Sequence, residues 1–167
     1  MWLHLLAAAL WIGEILFVAF VVGPVGRGLP PRERAALFRE TGRRALPLVW
    51  TAITVLVVTG VGNMYFLGIT PDQLLRRHFY ATGFGWMLAG KLLAAFGMFG
   101  HAAVHDFGYG RRSRRLRARL AQATPEERPA LEDEYQRTRR GAAAVGRGNL
   151  WLAVIVLLFA AGLGVRT

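Results

Sequence analysis

The sequence predicts an all-α integral membrane protein, a four-helix bundle with both termini outside and its basic loops in the cytoplasm. Three observations carry that prediction. First, the 167 residues contain four long apolar runs, at about 1–24, 46–68, 84–108 and 146–165. Each approaches the roughly 20 residues a helix needs to cross a hydrocarbon layer about 30 Å thick. Second, the charge is uneven: of 21 basic residues, six arginines fall at 25–45 and eleven more follow the third run, from Arg111 to Arg147. Positively charged loops stay in the cytoplasm, which places 25–45 and 109–145 inside. Third, the turn signals and the apolar runs agree on one transmembrane domain, 1–167, with no low-complexity linker or repeat. A net charge of +11 would suggest nucleic acid in a soluble domain. Here the arginines flank membrane runs, so the expected partners are membrane lipids, with anionic head groups on the cytoplasmic side, and no nucleic acid. The expected location is the inner (plasma) membrane, with several passes.

The first run lacks a basic leading segment and is too long for a cleavable signal peptide. At 100° per residue, His4, Ala7, Trp11, Glu14 and Val18 share a sector about 80° wide. That stripe should face the bundle interior. In the loop that follows, Pro31 suits a helix first turn, and Ala35, Leu37 and Phe38 suit a membrane surface. The second run returns to the outside and brings Asn63 and Met64 to its outer end. A short outer loop then carries Arg76, Arg77 and His78. In the third run, Lys91, Met98, His101 and His105 share another sector about 80° wide, with Met87 and Ala94, while Leu93, Phe96 and Val104 fall opposite. Next, Arg111 to Gln122 reads as a basic helix. Thr124, Pro125 and Glu127 read as a capping box opening another helix toward the fourth run. Trp50, Trp86, Trp151, Tyr65 and Tyr80 lie near helix ends, as an aromatic belt requires. Gly97 and Gly100 suit close helix packing.

Depth separates the polar groups. The first and third runs both descend from the outside, so Lys91 lies about five residues below His4, roughly 7.5 Å. Glu14 lies about as far again below Lys91. His101 lies about fifteen levels below His4, roughly 22 Å, too far for both to ligate one metal in one chain. His4 is thus either an interfacial histidine or an axial haem ligand, with His78 or Met64 as partner and Asn63 beside it. Glu14 and Lys91, the candidate catalytic residues, form a structural ion pair or a proton relay, or else Lys91 pairs with a haem propionate while Glu14 handles protons. His101 and His105, four apart and followed by Asp106, are either a polar helix end or a metal site completed by another copy in a homodimer.

The stretch LHLLAAALWIGEILFVAFVVGPVGR resembles the opening helix of the copper-resistance protein D (CopD) family, with His4, Trp11, Gly13 and Pro24 matching that family's pattern. WMLAGKLLAAFGMFGHAAVHDF is similar to the third helix of that family and of the HemJ-type protoporphyrinogen oxidases, with Lys91 and His101 matching. RGNLWLAVIVLLFAAGL fits either. The resemblance implies a four-helix membrane protein that binds haem b through His4, or one linked to copper. Glu14 stands where a second glycine is usual, and His105 is an addition. The leading expectation is a haem b protein with redox function: electron transfer, porphyrinogen oxidation or chemistry on NO or O₂. The alternatives are copper handling through His101, His105, Met87 and Met98, and a structural membrane protein whose stripes only join helices.

Overall fold

The computed structural model describes residues 1–164, and among these every regular element is helical. Val165, expected at the end of the fourth run, lies outside the described residues. Four helical stretches are long and apolar enough to cross a membrane: Trp2–Arg27, Pro31–Phe66, Gly83–Gln122 and Arg128–Leu163. The chain divides into two compact units, Met1–Trp86 and the residues from Met87 onward.

The first unit is built on an antiparallel helical hairpin. Its first arm runs through α1 (Trp2–Phe17), a π-helical turn (Val18–Val22) and α2 (Gly23–Arg27). Pro24 explains the π-helical turn. A proline has no N–H to donate, and its ring collides with the carbonyl four residues back. Widening the preceding turn moves that carbonyl away, and the Gly23 N–H bonds the Val18 carbonyl five residues back. The chain then reverses over three residues, and α3 (Pro31–Phe66) starts with proline in its first turn. Phe38 covers Gly26 at one end of the hairpin, and His4 lies against Gly60 at the other. Those contacts stand 22 positions apart on each arm, so the register is constant. α3 ends in a Schellman motif. The Ile69 N–H bonds the Met64 carbonyl, the Gly68 N–H bonds that of Tyr65, and Gly68 takes φ +70°. A capping box between Thr70 and Gln73 opens α4 (Pro71–Leu75), and α5 (Arg77–Ala81) follows.

The second unit pairs α6 (Gly83–Ala103), a π-helical turn (Val104–Tyr109) and α7 (Gly110–Gln122) with α8 (Arg128–Gly164). Side chains of one arm sit over glycines of the other: Met87 over Gly162, Phe159 over Gly90, Leu152 over Gly97, His101 over Gly148 and Tyr109 over Gly141. Small residues let helix backbones approach closely, which is how membrane helices associate. From Met87 to His101 and from Gly162 to Gly148, both arms advance 14 residues. From His101 to Tyr109 the first arm advances eight, while the second advances seven from Gly148 to Gly141. The π-helical turn absorbs the extra residue and keeps Tyr109 on the seam. The expected outward face is exposed, with Leu93 at 73% and Phe96 at 67%, while Met98 on the opposite side is 1% exposed.

The basic segments read as loops at 25–45 and 109–145 are largely helical. In the first, Glu40 binds Arg43 and Arg44 one turn on, and α3 continues through Pro47. In the second, α7 packs on α8 through buried Leu116 and Leu131, with Arg112 bonded to Glu134. The expected capping box is present: the Glu127 N–H donates to the Thr124 hydroxyl, and the Thr124 N–H to the Glu127 carboxylate. The Glu126 carboxyl in this turn is held below its ordinary range by its own backbone N–H and by the Thr124 hydroxyl.

Candidate functional site

His4 sits on the first turns of α1, half-buried, opposite Thr59 and Gly60 of α3. Its Nδ1 lies 2.8 Å from Thr59 Oγ1. The Thr59 hydroxyl also lies 2.6 Å from the Val55 carbonyl, one turn back on its own helix. A carbonyl can only accept, so the hydroxyl hydrogen goes to Val55. The imidazole must then supply the hydrogen of the second bond. His4 Nδ1 therefore carries a hydrogen, and in the neutral ring Nε2 would be the nitrogen with the lone pair. Gly60 lies beside the ring, where a Cβ would stand in ordinary contact, 3.4 Å from His4 Cε1.

The stripe below His4 follows the expected face. Ala7 and Trp11 are buried, and Glu14 and Val18 are half-buried. Trp11 and Glu14 both interact with other groups of the protein. The partners considered for His4 lie elsewhere along the first unit. Met64 is four residues beyond Gly60 on α3, roughly 6 Å along the axis, and Asn63 is just before it; both are half-buried. His78 is exposed on α5.

In the second unit, Lys91 is half-buried on α6, and among the described residues of that unit no hydrogen bond or ion pair reaches its ammonium. The His101 Nδ1–H donates to the Gly97 carbonyl at 2.9 Å, and its ring fills the notch at Gly148, with Nε2 3.0 Å from where a Cβ would be. His105 lies in the π-helical turn, exposed, with Nδ1 2.9 Å from the carboxylate of Asp106. The π-helical turn begins between the two histidines, so their four-residue spacing no longer stacks them as it would on an α-helix. Among the described residues, no group of three or more His, Asp or Glu side chains could hold a metal ion.

Sequence reasoning missed Thr59 and Asn149. Thr59 gives little signal, because a threonine in a membrane helix usually bonds the carbonyl four back and does nothing more. Only the hairpin register sets it against His4. Asn149 is 9% exposed on α8, and its side-chain oxygen is buried with no hydrogen-bond partner among the described residues.

Fold and site together define an all-α protein with four helices fit to cross a membrane and, on the first, a histidine with its Nδ1 hydrogen fixed. A relative from Aquifex aeolicus (strain VF5), described as an uncharacterized protein, is 34% identical over 75 residues. That match covers 43% of this chain and 52% of the relative, so the chain spans about half of the relative's length. No protein-family model matches the chain, and no solved structure matches it.

Proposed function

We propose that this chain is a plasma-membrane protein that holds haem b through His4 and serves redox chemistry, with both termini outside and the arginine-rich ends in the cytoplasm. The observation that supports it is the Val55–Thr59–His4 chain of hydrogen bonds. Metal-bound histidines almost always donate their other ring N–H to a fixed acceptor, which sets the tautomer and ring orientation. His4 has that preparation. His4 would hold the haem iron, with Met64 or His78 from the same unit as a second candidate ligand. When bound, the haem would supply one-electron chemistry at iron. The protein's part is to orient the imidazole, to exclude water with Ala7 and Trp11, and to hold charge. The Lys91 ammonium belongs to the second unit, where a cation in a membrane helix needs an anion or water. The Glu14 carboxyl would take up or release a proton in a region where ionised groups are costly.

The test is optical. Protein purified from haem-sufficient cells should show a Soret band, and His4→Ala should lose it. A colourless wild-type sample with stoichiometric copper would overturn the haem reading. A colourless, metal-free and stable sample would leave only the structural role of the two stripes.

A further inference from the structure

An open groove of about 480 Å³ runs along the hairpin of the first unit, between α1 and α3. Among the residues that line it are Leu10, Gly13, Glu14 and Phe17 on one side, and Thr41, Arg44 and Leu48 on the other. Its volume lies in the range of roughly 300–1,000 Å³ that holds small ligands. Leu10, Phe17 and Leu48 on its walls are 48%, 53% and 55% exposed, so it opens sideways rather than into a core. Along α1 it covers the ten residues from Ala9 to Val18. At 1.5 Å per residue that is roughly 14 Å, about half of a 30 Å hydrocarbon layer and so the depth of one leaflet.

The ends of the groove differ chemically. Arg44 stands at one end, two residues before the apolar run of α3 begins. Its Nε bonds Glu40, and its side chain is exposed. Arg43 binds the same carboxylate, so this cluster of two arginines and one glutamate is net positive. From there the walls are apolar except for Thr41 and Glu14. Glu14 would repel a phosphate, so an anionic head group belongs at the Arg44 end and a hydrocarbon chain in the remainder. Gly13 leaves the middle open, with nothing within 4 Å of where its Cβ would be.

We propose that this groove binds one anionic glycerophospholipid of the leaflet on the arginine-rich side, with its phosphate at Arg44 and an acyl chain over Gly13. The site shares Glu14 with the haem reading but not His4 or its partners, and it does not rest on that reading. It makes two demands on its occupant, a charge at one end and a chain along the rest. A merely basic surface makes only the first.

The test uses the full chain, delipidated in a neutral maltoside detergent and titrated with dioleoylphosphatidylglycerol or dioleoylphosphatidylcholine, with retained lipids counted by native mass spectrometry. One phosphatidylglycerol should be retained about tenfold more tightly than phosphatidylcholine, a difference of about 1.4 kcal/mol. Arg44→Gln should abolish that preference, and Arg44→Lys should keep most of it. The series Gly13→Ala, Gly13→Val and Gly13→Leu should weaken retention of both lipids stepwise, because the added carbons fill the chain's space without meeting the protein. Glycerol phosphate should not compete. Equal retention of the two lipids, a Gly13 series with no effect, or full competition by glycerol phosphate would each overturn the proposal. If Gly13→Leu does not fold, the alanine and valine variants still decide the matter.

Discussion

At the scale of single residues, the polar groups divide by what holds them. His101 is a knob in a glycine notch with one nitrogen bonded to its own helix, which suits packing. His4 is held from another helix by a hydroxyl whose own hydrogen is already committed. If His4 holds haem as proposed, Thr59 is a positioning residue that acts only through His4. Thr59→Val keeps the shape and removes the acceptor, freeing the imidazole to rotate or change tautomer. Loss of such a supporting partner typically costs about 10–100-fold in metal-site affinity. Thr59→Val should lower haem affinity by that order in a Soret titration, whereas Thr59→Ser, which keeps the hydroxyl, should stay within a few fold of wild type. Equal affinities for the two variants would show that the bond does not orient the ligand. His4 was legible in the sequence because a histidine on the buried stripe of an apolar helix is conspicuous. Thr59 was not, because its role depends on which turn of α3 meets which turn of α1. That register follows from the reversal at 28–30 and from Phe38 settling over Gly26, neither of which has a periodic signature.

At the scale of elements, the glycine seam and its π-helical turn form one device. Both arms of the second unit keep step until His101, and the extra residue enters within Val104–Tyr109. The two faces of α6 were legible from the 100° repeat. The turn was not, since a one-residue surplus shows only once the partner helix is in place. The consequence is testable by deletion. Removing Gly108, which is exposed within the turn, should convert it to an α-helix and leave Tyr109 on Gly141. Removing Ala95 instead rotates every later residue of α6 by about 100° and unseats His101 and Tyr109 together. Overpacked contacts cost about 1–3 kcal/mol each. The Gly108 deletion should melt within a few degrees of wild type, and the Ala95 deletion far below it or not fold. Equal destabilisation would refute the surplus-residue account of the turn.

At the scale of the whole molecule, the long helices outreach the membrane. Gly83–Gln122 has 40 residues, roughly 60 Å of helix against a layer of about 30 Å. Pro31–Phe66 and Arg128–Leu163, with 36 residues each, extend to roughly 54 Å. The surplus in each case is the arginine-bearing part outside the apolar run, where the sequence already marks a basic helix at Arg111 to Gln122 and a helix start at Thr124. Hydropathy marks where a helix leaves the membrane, but not where it stops. Stopping is decided by caps and pairing, such as the Thr124 box and the Arg112–Glu134 bond. A helix this long carries its arginines past the head groups. Under the proposed topology, charge near the surface would keep that side in the cytoplasm, with the part beyond open to water. The chain has no cysteine, so single cysteines can be introduced without background. Gln73→Cys on α4 and Ala118→Cys on α7 are both exposed positions outside the apolar runs. A membrane-impermeant maleimide added to intact cells should label the first and spare the second, and permeabilised cells should label both. The same pattern should persist in vesicles rich in anionic lipid, because position 118 lies about two turns beyond the π-helical turn and stands clear of the surface. Labelling of Ala118→Cys from outside intact cells would reverse the topology. Its protection by anionic vesicles would place α7 flat on the membrane.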